Sequence, residues 1–199
     1  MMVHVLRSMK SIVIAQILWL GALIVPAAAH PHLFIDVMAK FLLTDSTLTG
    51  VNVFWDLDEM TSSGLIEEFD LNHNNRFEKE EYNKLEREAF SYAAQTNFFT
   101  VFTWGKKMLQ ITTVKHFIAA VQPDFKIRYS FFIPCDLKLN DIAGEKVVMF
   151  FNDPSMFVAF KLIKEMIQVS LNDKWPGTVT FEKEGFNELI ILTIQRKTE

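Results

Sequence analysis

The spacing of hydrophobic and polar positions changes several times along the chain. Leu33 to Leu43 is apolar and β-rich, which predicts a first strand. Asp45 to Gly50 reads as a turn. Val51 to Trp55 then reads as a second strand that closes a hairpin on the first. The period next lengthens to that of a helix. Leu65, Ile66 and Phe69 fall on one side of a helix predicted over 58–69, and Tyr82, Leu85, Ala89 and Tyr92 do the same for a second over 80–96. Polar residues 70–81 separate the two. From Phe98 onward the pattern is β again. Residues 124–131 alternate as a half-buried antiparallel strand should. Lys146 to Phe151 is a continuous apolar run suited to a central strand, and Asn152 to Ser155 a turn. Thr178–Lys183 and Leu189–Ile194 flank Glu184–Asn187 as a C-terminal hairpin. The fold class expected is α+β: an antiparallel sheet with an EF-hand-like helix–loop–helix, over 58–96, inserted after the first hairpin.

The N-terminal segment follows a different logic. An apolar run from Ile12 to Val25 comes after Arg7 and Lys10, is broken by Pro26, and ends at Ala27-Ala28-Ala29. That layout predicts a secretory signal peptide over 1–29, cut after Ala29, and a single periplasmic domain over 30–199. The run is shorter than the roughly 20 apolar residues of a membrane span, so the mature chain is expected to have no span of its own. An uncleaved anchor is the alternative. Half of the 199 residues are hydrophobic and 19 are Phe, enough for a sizeable core. The single cysteine, Cys135, allows no internal disulfide and sits in an apolar context that reads as a buried structural thiol. Losing residues 1–29 removes two basic residues and no acidic one, so the formal charge of −4 becomes more negative. An acidic domain argues against a nucleic-acid partner.

Candidate chemistry begins at the expected cut. A chain starting at His30 presents its α-amine, the His30 ring and the His32 ring, a borderline-soft nitrogen set suited to zinc, copper or nickel. Pro31 has no N–H, so metal binding through a deprotonated amide at the second position is blocked. Two or three nitrogens leave a site open, and the fold must supply the rest. Asp36 is the favoured partner because it lies on the same segment; Asp56, Asp58 and Asp153 are alternatives, and His116 is a further candidate ligand. The plainer reading is a solvated terminus.

A second constellation spans Asp70 to Glu81. Asp70, Asn72, Asn74 and Glu78 stand at loop positions one, three, five and nine of the EF-hand template. Arg76 would contribute its carbonyl, Phe77 is the apolar eighth residue, and Glu81 could give two oxygens. Asn75 replaces the glycine that the turn's positive φ favours. With amides at two positions the expected calcium affinity is millimolar or weaker, and a loop that binds no metal is the alternative. No nucleophile–base pair, phosphate loop or zinc-protease motif occurs, so no enzyme is expected. A calcium-binding or purely structural interaction domain is one alternative, and a copper enzyme using the N-terminal histidines is a second.

The signal peptide, His30-Pro31-His32-Leu33-Phe34-Ile35-Asp36, Phe54-Trp55-Asp56-Leu57-Asp58-Glu59, and the loop before a Tyr- and Phe-rich helix together resemble a domain-of-unknown-function family of bacterial periplasmic proteins. Members carry the label of a periplasmic component of an ABC-type transport system. The resemblance covers essentially the whole mature chain. It implies a binding accessory that holds zinc, or nickel or cobalt, and hands it to a membrane permease of nickel/cobalt type. Members of that family keep Asp and Gly in the loop, and Asn72, Asn74 and Asn75 depart from this pattern.

Overall fold

A computed structural model describes residues 31–171 and 174–197. The expected signal peptide and His30 lie outside the described residues. The first hairpin pairs β1 (Leu33–Leu43) with β2 (Thr47–Leu57) in antiparallel register, Asp36 opposite Asp56 and Val37 opposite Trp55. Alternation decides which face is buried. Ile35, Val37, Ala39 and Phe41 point inward from β1, and Val51, Val53, Trp55 and Leu57 from β2. The remaining strands are β3 (Thr100–Trp104), β4 (Lys107–Met108), β5 (Lys115–Val121), β6 (Ile127–Lys138), β7 (Lys146–Phe151), β8 (Val158–Val169), β9 (Gly177–Glu184) and β10 (Asn187–Ile194). They form two five-stranded sheets, β5-β6-β2-β1-β8 and β4-β3-β7-β10-β9. The inner faces meet around Trp55, whose ring lies against Phe131 of its own sheet and Phe151 of the other, with centroids 4.8 and 6.2 Å away.

This arrangement corrects the expected class. The protein is mostly β, two packed sheets with few helices, and not the expected α+β fold of one antiparallel sheet with an EF-hand-like insertion; one pairing, β1 with β8, is parallel. The helical share shrinks because the second helix is short. α1 spans Glu59–Phe69 and α2 spans Lys79–Glu88, where a helix through residue 96 was expected. Phe90–Phe99 continues as a 3-10 segment. It buries Phe90 and Ala93, three residues apart, and leaves Tyr92 63% exposed. The core selects that period: Phe90 stacks on Phe117 of β5 with centroids 3.8 Å apart. β8 adds strand content where no strand was expected. It is an edge strand whose exposed Lys161, Lys164 and Glu165 interrupt the apolar alternation. A last short helix, α3, covers Leu139–Ile142.

Two local devices position the site. Asp58 caps α1: its Oδ1 accepts from Thr61 N at 2.9 Å, and its Oδ2 from Thr61 Oγ1 at 3.1 Å and from Phe34 N at 2.8 Å. The same residue therefore pins the start of β1 to the start of α1. Asp153, in the turn before β8, accepts from Ser155 N and Oγ, Phe157 N and Val158 N. This shapes the loop that returns Phe157 to β1, where the Phe157 carbonyl accepts from His32 N at 2.9 Å.

Candidate functional site

The start of β1 is where sequence candidates and geometry meet. His32 is exposed, and its ring leans on Phe157 with centroids 5.3 Å apart. It borders a surface hollow of about 450 Å³ together with Pro31, Phe34, Asp58, Glu59 and Lys126. The end of the hairpin explains this. Asp58 N donates to the Phe34 carbonyl at 3.0 Å just past the last strand pair, and α1 then starts at Glu59. The Asp58 carboxyl lies below the ordinary carboxylate range. Burial works against its charge, but the hydrogen bonds from Phe34 and Thr61 outweigh that. Glu59 is more available: its side chain is 85% exposed and reaches Lys126 only at 4.0 Å.

The favoured partner, Asp36, does not join His32. Four residues along an extended strand separate them by about 13 Å. Asp36 instead lies in a row of charges across the outer face, Lys161–Asp36–Asp56–Arg128, one from each of four neighbouring strands. Lys161 Nζ is 3.9 Å from Asp36, while Arg128 grips Asp56 through two bonds of 2.6 and 2.7 Å. His116 is farther still. Its neighbour Lys115 is level with Phe132, Asn52 and Lys40, toward the opposite end of β1, and His116 itself is exposed with φ 55°. Neither residue can share an ion with His32. Asp153 is fully committed to its own turn. Among the described residues no group of three or more His, Cys, Asp and Glu is arranged to hold a metal ion.

The Asp70–Glu81 loop bonds its carboxylates to its own backbone and amides. Asp70 is 1% exposed and accepts from Asn74 N and Asn75 N at 3.1 and 2.7 Å. Glu81 accepts from Leu71 N and Glu78 N at 2.8 and 2.9 Å. The Asn72 and Asn74 amides donate to Glu78 at 2.8 and 2.5 Å, and Arg76 N donates to Asn74 Oδ1. Asn75 adopts φ 61°, the left-handed turn that the template requires, and His73 is exposed. Cys135 is half-buried, donates to Leu48 O at 3.2 Å, and burial pushes its thiol up to about 12.

Sequence reasoning missed Glu59 and Lys126, which border the same hollow as His32. It also missed a cavity of about 670 Å³ between the 3-10 segment and the inner face of β1 and β2. Trp55 and Tyr129 line it, and no spacing signal marks such a space. Trp55 Nε1 and Tyr129 OH are buried and have no hydrogen-bond partner among the described residues. Burial raises the Tyr129 phenol, so it stays protonated and a donor.

Among known proteins, the chain is similar over 38 residues to an uncharacterized protein of Haemophilus influenzae, at 45% identity. That stretch is 19% of this chain and 18% of the relative. A far longer match, over residues 15–181, is to the family described as "Protein of unknown function (DUF1007)". The two-sheet protein built around Trp55 belongs to the DUF1007 family.

Proposed function

We propose that this protein is a periplasmic metal-binding accessory. It captures a divalent transition metal ion, zinc with nickel or cobalt as alternatives, and presents it to a membrane permease of nickel/cobalt type. Removal of residues 1–29 creates the capturing end: the α-amine and ring of His30, with His32 two residues on. The observation that carries the reading is the placement of His32 beside Asp58 and Glu59 in one hollow. The His32 backbone donates to the Phe157 carbonyl and its ring leans on Phe157, which fixes the residue at the start of β1, on the rim of that hollow. Glu59 is the carboxylate assigned to the ion, because Asp58 already serves as helix cap. Imidazoles and one carboxylate form a borderline set that favours zinc-like ions over calcium or magnesium. Among the described residues no helix is long and apolar enough to cross a membrane.

Zinc titration of the mature protein by calorimetry tests this. His30→Ala with His32→Ala is expected to weaken binding by at least about tenfold, Glu59→Gln less, and Asp36→Asn not at all. Unchanged zinc affinity in the double variant, with the fold intact by circular dichroism, refutes the proposal.

A further inference from the structure

The cavity beside the 3-10 segment borders on a side chain that does not fill it. Its volume is about 670 Å³, a size that elsewhere holds a whole small molecule. Tyr92 is one of the lining residues, yet it stays 63% exposed. A largely apolar ring is thus left in water next to an apolar space.

The period of the segment decides this. The α pattern reaches Ala89, whose N–H donates to the Leu85 carbonyl at 2.9 Å. At that period Leu85, Ala89, Tyr92 and Thr96 share one face. Leu85 is fully buried, and the other three line the cavity. From Phe90 the chain winds as a 3-10 helix instead, and its helical backbone ends before Thr96. Such runs seldom exceed three or four residues, and this one covers 90–95. Hydroxyls support it. Ser91 Oγ donates at 2.6 Å to the Arg87 carbonyl, the acceptor that Ser91 N would take in a continued α-helix. Thr96 Oγ1 donates to the Ala93 carbonyl at 2.9 Å.

Strain marks the far end. Asn97, Phe98 and Phe99 take φ of 55°, 51° and 50°, three successive left-handed residues with none a glycine. The Asn97 side chain holds that bend, accepting from Ile111 N at 2.6 Å and donating to the Thr100 carbonyl. An α-helix rises about 1.5 Å per residue against about 2.0 Å for a 3-10 helix, so rewinding 90–95 shortens it by about 3 Å. The bend at 97–99 can supply that length, and straightening it releases its strain. The near end keeps its anchor. Phe90, one residue past Ala89, turns by only about 20° between the two windings, so its stack on Phe117 survives.

We infer that residues 90–95 exchange between the 3-10 register and a continuation of α2, and that in the second register Tyr92 turns into the cavity as its occupant. Burial of the Tyr92 ring favours the filled state. The hydroxyl bonds of Ser91 and Thr96 and the Asn97 anchor favour the open one.

Fluorine NMR of the purified protein labelled with 3-fluorotyrosine tests this. The chain has three Tyr, and Tyr92→Phe identifies the Tyr92 signal by its loss. That signal is expected to show exchange, as relaxation dispersion or as a second resonance insensitive to the change from ordinary to heavy water. Leu33→Trp and Leu65→Trp fill the space from β1 and from α1, and each should remove the shielded state. Two fillings guard against one that fails to fold. Ser91→Ala frees the Arg87 carbonyl and favours an α-helix, so it should raise the shielded population about twofold. A single, fully solvent-sensitive Tyr92 signal without dispersion overturns the inference. So does exchange unchanged by both fillings, or a shielded population that falls in Ser91→Ala. Neither His32 nor Glu59 lines the cavity, so the outcome is independent of metal capture.

Discussion

Asp58 is the residue whose replacement separates scaffold from ligand most cleanly. Asp58→Ala removes a helix cap, worth about 1 kcal/mol. It also leaves Phe34 N without its acceptor at 2.8 Å. That amide is at an exposed strand end where water takes over, so the added loss is about 0.5–1 kcal/mol. Together the change should cost about 1.5–2 kcal/mol, and at about 2–4 °C per kcal/mol for a domain of this size the midpoint should fall by roughly 3–8 °C. Asp58→Asn keeps one acceptor oxygen and is nearly as good a cap, so about half that loss is expected. The pH response follows from the depressed carboxyl. A group whose pKa is lower when folded stabilises above its unfolded value, and that contribution is lost as pH falls through the folded one. Wild type should therefore lose an increment of stability in the acid range that Asp58→Asn lacks. Thermal melting between neutral and acid pH, with zinc calorimetry alongside, measures all of this. Zinc affinity should be nearly intact in Asp58→Asn. A melting shift below one degree in Asp58→Ala, or a steeper acid loss in Asp58→Asn than in wild type, would refute the reasoning.

Other outcomes follow from single contacts. Gly50→Ala should destabilise by about 1–3 kcal/mol in urea unfolding, because a Cβ there would lie 2.3 Å from the Ile133 carbonyl oxygen. A loss under half a kcal/mol would show that β2 and β6 can part. Ten millimolar calcium should raise the midpoint by roughly 3–6 °C if the Asp70–Glu81 loop binds with a Kd near 1 mM, through about 1.4 kcal/mol of linkage. Glu81→Gln should abolish that shift, and no shift in wild type would mean a loop that holds itself together without metal. Cys135, with its thiol near 12, should resist iodoacetamide at pH 8 in the native protein and react fully in denaturant. Rapid native labelling would place it at the surface.

Local pattern in the sequence carried the first hairpin, α1, the central β7 and the C-terminal hairpin, because each has one apolar face with a clear period. The 3-10 segment and β8 were illegible for opposite reasons. Phe90 and Ala93 follow a period of three that only the stack on Phe117 selects. β8 is an edge strand whose charges hide its alternation. Among the candidates, His32 and the polar loop of Asp70–Glu81 could be singled out because each is defined within a few consecutive residues. Asp36 was misassigned because proximity along a strand was taken for proximity in space; an extended chain carries four residues about 13 Å apart. Glu59 was not legible, because the strand register ends at Leu57 and the turn into α1 decides where it sits. Nor was the cavity, since a space between a 3-10 segment and a sheet depends on how separate elements meet.

The parallel pairing of β1 with β8 has a consequence for how the molecule comes into being. Leu33 faces Val158, so the outer neighbour of the first strand is among the last strands made. No tight turn can join them, and the whole intervening chain must be organised before they meet. During synthesis β1 therefore has one edge satisfied by β2 and the other bare, and a bare apolar edge is the surface that recruits strands from other molecules. Refolding yield is therefore expected to fall as protein concentration rises.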